Sequence, residues 1–262
     1  MVDIHCHLLP GLDDGPGTLE EALEMAEAAI RDGITHVVAT PHASDTFSFV
    51  PGLVEERRAE LAQLLGDRLI LATGCDFHMT FENVQDALRH PAKYAINQKN
   101  YLLVEFADLL IPPTMDDALH QLQLVGLNPI ITHPERNSVL CRQPVRLARW
   151  VYRGCYAQVT AGSLLGQFGG PAQRAAEEWI ERDLVHFVAS DAHNVRARPL
   201  RLRQAHDAVK QRWGEPLAHA LFYENPLAAF EGRPLPWVRE IPNPDEAKTV
   251  PRPRRRKRFL FF

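Results

Sequence analysis

The chain has 262 residues, of which 45% are hydrophobic and 24% charged, with a formal net charge of −4. That length buries a full core as one α/β barrel or as two smaller domains, and the composition excludes a disordered or fibrous chain. Six basic residues crowd into the last eleven (Arg252, Arg254, Arg255, Arg256, Lys257, Arg258); without them the net charge falls from −4 to −10, which argues against nucleic acid as a partner of the body.

Alternating apolar and polar residues over Val2–Leu8 predict a first strand. Side chains at i and i+2 of a strand share a side, so Asp3, His5 and His7 are expected to project together. The next segment reads as a helix over Leu19–Ile30, with Leu19, Leu23, Ala26 and Ile30 on one face, a capping box in Thr18 and Glu21, and Gly33 as its stop. Further strands are predicted at Thr35–Thr40, Leu69–Gly74, Tyr101–Phe106, Pro129–His133, Tyr156–Thr160 and Val185–Ser190. Helices are predicted between or after them at Val54–Leu65, Asp116–Val125, Val145–Tyr152, Ala172–Asp183 and Leu202–Trp213. Strands alternating with helices imply a mostly parallel sheet, and at this length a closed or distorted barrel. After Phe230 six prolines between Pro234 and Pro253 mark a non-helical tail, ending in the basic run and Phe259-Leu260-Phe261-Phe262. The expected division is therefore a barrel over residues 1–232 and a Pro-rich basic tail over 233–262.

No apolar run approaches the roughly 18 residues of a membrane span, and the opening strand text leads us to expect no signal peptide. Cys6, Cys75, Cys141 and Cys155 lack close spacing, so reduced thiols in a cytoplasmic protein are expected.

In a parallel α/β barrel the C-terminal ends of the strands converge on one face, where active sites sit. Strand one delivers His5 and His7, and its loop adds Asp13 and Asp14. The second strand is followed by His42, the third by Asp76 and His78. The fourth carries Glu105, the fifth ends on His133-Pro134-Glu135-Arg136, and the seventh on Asp191-Ala192-His193. Imidazole and carboxylate gathered this way predict a multinuclear metal centre of Mn, Fe or Zn type. His36, His90, His120, His186, His206 and His219 fall mid-strand, in helices or before proline and read as structural.

These motifs resemble the polymerase-and-histidinol-phosphatase (PHP) superfamily, and within it the bacterial capsule-regulating tyrosine-protein phosphatases. The matching text is Asp3-Ile4-His5-Cys6-His7, Asp13-Asp14-Gly15, Thr40-Pro41-His42, Leu103-Val104-Glu105-Phe106, His133-Pro134-Glu135-Arg136 and Ser190-Asp191-Ala192-His193-Asn194, extending from Met1 to about Phe230. The resemblance implies a distorted (β/α)7 TIM-like barrel with two or three divalent ions, Mn foremost, with Fe, Zn or Mg as alternatives. It implies that His5, His7, Asp76 and Asp191 hold a first ion, Asp76, Glu105 and His133 a second, and Asp14, His42 and His193 a third. It further implies that Arg136 and Arg198 bind phosphate. Position 76 departs from the family pattern, which has Glu there; Asp is one methylene shorter, so either the backbone moves in or the bridge weakens.

Four carboxylates against three divalent cations leave a positive excess that matches a phosphomonoester dianion, and two guanidinium groups add forked donors for its oxygens. None of the four cysteines has Arg six residues later, which removes the cysteine-nucleophile route to tyrosine dephosphorylation. By resemblance, the substrate is a phosphotyrosine-bearing protein, a bacterial tyrosine kinase of polysaccharide export. Two other readings stay open on the residues alone: a small-molecule phosphomonoesterase of histidinol-phosphatase type or an amidohydrolase, and a non-catalytic kinase-binding scaffold. The loop Ser44–Pro51, with Phe47 and Phe49, reads either as an aromatic wall for a phosphotyrosine or as a packed anchor. The basic tail reads as a contact to an anionic membrane or to the acidic body.

Overall fold

The computed structural model describes residues 1–246. In chain order it runs β1 (Val2–Cys6), α1 (Leu19–Asp32), β2 (His36–Ala39), β3 (His42–Ala43), α2 (Pro51–Leu65), β4 (Ile70–Thr73), β5 (Asp76–His78), α3 (Phe81–Arg89), β6 (Tyr101–Glu105) and α4 (Met115–Leu124). It continues with β7 (Asn128–Thr132), α5 (Ser138–Arg142), α6 (Pro144–Tyr152), β8 (Tyr156–Thr160), α7 (Ala161–Leu164), α8 (Gly170–Glu181), β9 (Phe187–Ala189), α9 (Arg203–Trp213), α10 (Glu215–His219) and α11 (Asn225–Glu231).

Two of the predicted strands resume after a break. Pro41, which has no N–H to give a ladder, separates β2 from β3, and Gly74-Cys75 separates β4 from β5. A Cβ on Gly74 would stand 3.0 Å from Val38 Cγ1 and 3.3 Å from Thr40 Cγ2, so a side chain at the break would press on both neighbours. The breaks divide the ladder into a sheet of order β1-β2-β4 and one of order β3-β5-β6-β7-β8-β9, with parallel pairing throughout. Beyond β9, Asp191 N donates to His5 O and His7 N to Ala192 O, both at 2.9 Å, setting the end of the last strand beside the first. The expected distorted barrel is thus two parallel sheets meeting edge to edge.

Helices cover the outside. α1 starts as its text predicts, with Thr18 Oγ1 accepting from Glu21 N at 3.3 Å, and stops at Gly33 in the left-handed region (φ 87°). Its buried stripe is Ala22, Met25, Ala26 and Ala29, one position round from the face read in the sequence; Leu19, Leu23 and Ile30 flank it, partly buried. α3 lies outside the sequence expectation.

Inside the ring, Val2, Ile4, Val38, Leu103, Ile130, Phe187 and Ala189 pack as a cluster apart from the main core. Residues contributed by strands all round a ring can meet only in its interior. α11 adds Ala229 to this plug, and Tyr101 Oη donates to Arg233 O at 2.8 Å. Inward positions beyond the plug, toward the strand C-termini, are polar: Glu105 on β6, and Gln158 and Thr160 on β8. The same alternation, with Ile4 inward, would turn His5 out. The β1–β2 register shifts between Asp3 and Cys6, and such an irregularity re-aims a side chain. His5 faces inward as a result, whereas Asp3 does not join it: its carboxylate accepts from His5 N and Ser190 N, both at 3.2 Å. The expectation that Asp3, His5 and His7 project together is corrected to His5 and His7.

Beyond α11 the described chain is irregular but tied down. The Asn225 side chain donates to Trp237 O at 2.8 Å and accepts from Trp237 N at 3.0 Å, and Arg149 reaches Asp245. The basic run 252–258 and the Phe259–Phe262 end, with the membrane or self-docking role read for them, lie outside the described residues. Among the described residues no helix is long and apolar enough to cross a membrane.

Candidate metal centre

The structure gathers the sequence-predicted ligands at the C-terminal end of the strands into overlapping groups. His5, His7 and Asp76 form one; Asp76, Glu105 and His133 a second; His7, Asp14, His42 and His193 a third. Asp191 stands 3.5 Å from His5 Nε2 and 3.6 Å from His7 Nε2. Asp76 Oδ2 lies 3.4 Å from His5 Nε2 and 3.3 Å from His42 Nδ1. His133 Nε2 is 3.4 Å from Glu105 Oε1, and Asp14 Oδ1 is 3.5 Å from His42 Nε2 and 3.2 Å from His193 Nε2. His7 thus borders two groups, one more than the sequence assigned to it.

These separations fit shared cations. Donors held at about 2.1 Å from one ion with tetrahedral angles lie about 3.4 Å apart. Hydrogen bonds do not explain the cluster: His5 Nε2, His7 Nε2, His42 Nδ1, both Asp76 oxygens and Glu105 Oε2 are buried without a hydrogen-bond partner. Buried polar atoms are rarely left so, and a cation is the partner this donor set suits.

The other ring nitrogens are used to aim the rings. His5 Nδ1 meets Gln158 Oε1 at 2.8 Å and His7 Nδ1 meets Asp13 Oδ2 at 2.6 Å, leaving each Nε2 directed at the centre. Asp13 also accepts from Gly15 N at 3.0 Å and His42 N at 3.0 Å. Gly15 itself lies against β1, where a Cβ would fall 2.6 Å from His7 O. Asp13 therefore positions, while half-exposed Asp14 faces the third group. Two predicted ligands sit in the left-handed region, His133 at φ 29° and Asp191 at φ 52°. Such conformations cost on the order of 1 kcal/mol or more and persist where surrounding structure enforces them, commonly at functional sites.

Electrostatics divide the group. Burial pushes His133 down to about 3, aided by Arg136, and burial with His7 does the same to His193, so both rings are neutral and free to ligate. Burial also presses on His5, but Asp76 and Asp191 outweigh it and pull its pKa up to about 10. Burial and Asp76 raise Glu105 to about 7. Asp191 is held far below the usual carboxylate range, its burial outweighed by charged His5 and by Arg198.

Both predicted phosphate-binding arginines converge here. Arg136 Nη1 and Arg198 Nη2 each donate to Asp191 Oδ2, and Arg198 Nε is buried without a partner. Phe168, absent from the sequence reading, lies under the Arg136 guanidinium at 4.4 Å. Arg198 and Phe168 also line a cavity of about 350 Å³. Of the two loop aromatics, Phe47 stacks beside His42 (5.8 Å, 12°), whereas Phe49 packs on Tyr94 at 5.2 Å as an anchor. His78, which the sequence placed at a strand end without a role, lies against Glu105. Gln158 was missed outright; its one signal is an amide within the strand text Tyr-Ala-Gln-Val-Thr.

Comparison with known proteins points the same way. Residues 1–231 match the family described as capsular polysaccharide synthesis, CpsB/CapC. The chain is 34% identical over 266 aligned positions to the tyrosine-protein phosphatase YwqE of Bacillus subtilis strain 168, covering 100% of each. It is 30% identical over 238 positions to the tyrosine-protein phosphatase CpsB of Streptococcus pneumoniae, covering 86% of this chain and 96% of that one. A solved structure from work on YwqE and CpsB, described there as unique metal-dependent tyrosine phosphatases, superposes with a TM-score of 0.86 at 33% identity, covering 92% of this chain and 98% of that one.

Proposed function

The chain belongs to the capsular polysaccharide synthesis family CpsB/CapC, and from that membership we propose how its site works as a metal-dependent protein-tyrosine phosphatase. The observation that carries the reading is the set of orphaned buried imidazole and carboxylate atoms beside two arginines that share Asp191. His5, His7, Asp76 and Asp191 would hold one divalent ion, Asp76, Glu105 and His133 a second, and Asp14, His42 and His193 a third; the mixed nitrogen and oxygen donors suit Mn, Fe or Zn, and Mn is the ion the family resemblance puts first. Bound ions supply Lewis acidity to phosphate oxygens and acidify water.

The protein's own groups do the rest. Arg198, with Nε unspent, and Arg136 present forked donors where charge spreads over the equatorial oxygens. Asp191 fixes both forks before substrate arrives, so little reorganisation is left for the reaction. Phe47 beside His42 and Phe168 beneath Arg136 offer aromatic surface to a phosphotyrosyl ring. A tyrosyl group leaves as a phenol of pKa about 10 and needs little help from an acid.

The substrate we propose is a phosphotyrosine-bearing protein of polysaccharide export, a bacterial tyrosine kinase, met in the cytoplasm. The test is turnover of a phosphotyrosyl peptide beside histidinol phosphate and a phosphoseryl peptide, with the highest kcat/KM expected for phosphotyrosine. A preference for histidinol phosphate would overturn the protein-substrate reading. Co-sedimentation of full-length and Pro251-truncated protein with anionic vesicles tests the role proposed for the basic tail, and equal sedimentation would remove membrane contact.

Asp76 gives a sharper test. Its carboxylate lies 3.4 Å from His5 and 3.3 Å from His42, which supports a backbone that suits the shorter side chain. An added methylene in a fully buried position overpacks it. Asp76→Glu is therefore expected to lower bound metal by elemental analysis. A rise would show that side-chain length limits the bridge.

A further inference from the structure

Glu105 divides its two oxygens. Oε1 faces His133 at 3.4 Å, within the group that shares Asp76. Oε2 faces the other way, into a group with His42 and His78 whose donor atoms all lie within 4.8 Å of one another. His78 Nε2 contacts that oxygen, and His42 Nδ1 stands 3.6 Å from it. His78 is two residues beyond Asp76 on β5, so the pleat sends both side chains to the same side.

A plain imidazolium–carboxylate pair accounts for only part of this. His42 Nδ1 is buried without a hydrogen-bond partner, and the Glu105 oxygen that it faces is already engaged by His78. The His42 and His78 rings meet edge to face at 5.2 Å, with their nitrogens turned toward the same carboxylate. Asp76 is meanwhile shared between two groups, which leaves the cation on the Glu105 side with few donors of its own. His78 is about one third exposed, so it approaches that cation from the solvent side.

We propose that His78 is a further ligand of the metal centre, donating Nε2 to the divalent cation that Glu105 holds. The inference rests on the metal-centre reading above. Its consequence is that removing His78 weakens one cation and spares the others, because among the described residues no other group of donors includes it.

The experiment loads full-length wild type, His78→Ala and His78→Lys with Co2+ and reads bound metal by elemental analysis, visible ligand-field absorption and retention against a competing chelator. Both variants are expected to hold one equivalent at least tenfold more weakly, with a changed spectrum, while the remaining equivalents stay as in wild type. Thermal melts of the chelated forms should coincide, since His78 lies at the rim. Lysine keeps a positive charge beside Glu105 but, protonated, offers no lone pair. Wild-type retention in His78→Lys would make His78 an ion-pair partner only and overturn the proposal. An unchanged spectrum and stoichiometry in His78→Ala would overturn it too. Wild type that binds no Co2+ would instead bring down the metal-centre reading, and this inference with it.

Discussion

Stripping divalent cations with a chelator is expected to reduce turnover of para-nitrophenyl phosphate to background, and added Mn2+ to restore it. The site without cations is the wrong place for a phosphate dianion. Asp14, Asp76, Glu105 and Asp191 gather around it, and the two nearest guanidinium groups are already engaged by Asp191. Both Asp76 oxygens and the Nε2 atoms of His5 and His7 are buried without a hydrogen-bond partner, so hydrogen bonds within the protein do not complete this cluster. Charge stabilisation by a bound ion is worth several kcal/mol in a phosphoryl transfer, which sets the loss at roughly a thousandfold or more. The same linkage raises stability: a cation present at a hundred times its Kd adds about 2.7 kcal/mol to the folded state, so the loaded form should melt higher. Turnover that survives exhaustive chelation and dialysis unchanged would sink the metal-dependent reading.

Much of this was legible from local text. The strand–helix order follows from periodicities of two and 3.6, and the ligands reveal themselves because each strand end meets the same face of a barrel. What escaped is nonlocal or short. Gln158 aims His5 from 153 residues away, and no pattern in either segment announces the pair. The resemblance gave Asp14 to the open group, but nothing in the local text announced that adjacent Asp13 aims the His7 ring. β3 and β5 lie past a proline and a glycine, which read as strand ends, although pairing resumes beyond them. α3 has a Thr80 cap and Val84 and Ala87 at helical spacing, but Phe81 at its start is 74% exposed, so its apolar face is narrow. Alternation misplaced Asp3, because a register irregularity in β1 breaks the period at the strand that carries His5 and leads into His7.

Arg136→Ala is expected to lower kcat on phosphotyrosyl peptides about a hundredfold, a loss of about 2.7 kcal/mol, in line with removal of one preorganised donor to the transition state. Metal content should stay at the wild-type level, since Arg136 offers no lone pair to a cation. Arg136→Lys should recover little, because an ammonium group has charge but not the planar fork, and it does not stack on Phe168 as the guanidinium does at 4.4 Å. Arg198→Ala should fall in the same range. The two substitutions are not expected to add: both side chains lean on Asp191 Oδ2, and groups that share a partner couple in double-mutant cycles. Loss in the double variant should therefore be smaller than the product of the single losses. An effect on KM alone, with kcat preserved, would mean that the arginines bind ground state and transition state equally. Full activity in Arg136→Ala would reduce that residue to a salt bridge with Asp191 at the barrel rim and leave phosphate recognition to Arg198 and the metal centre.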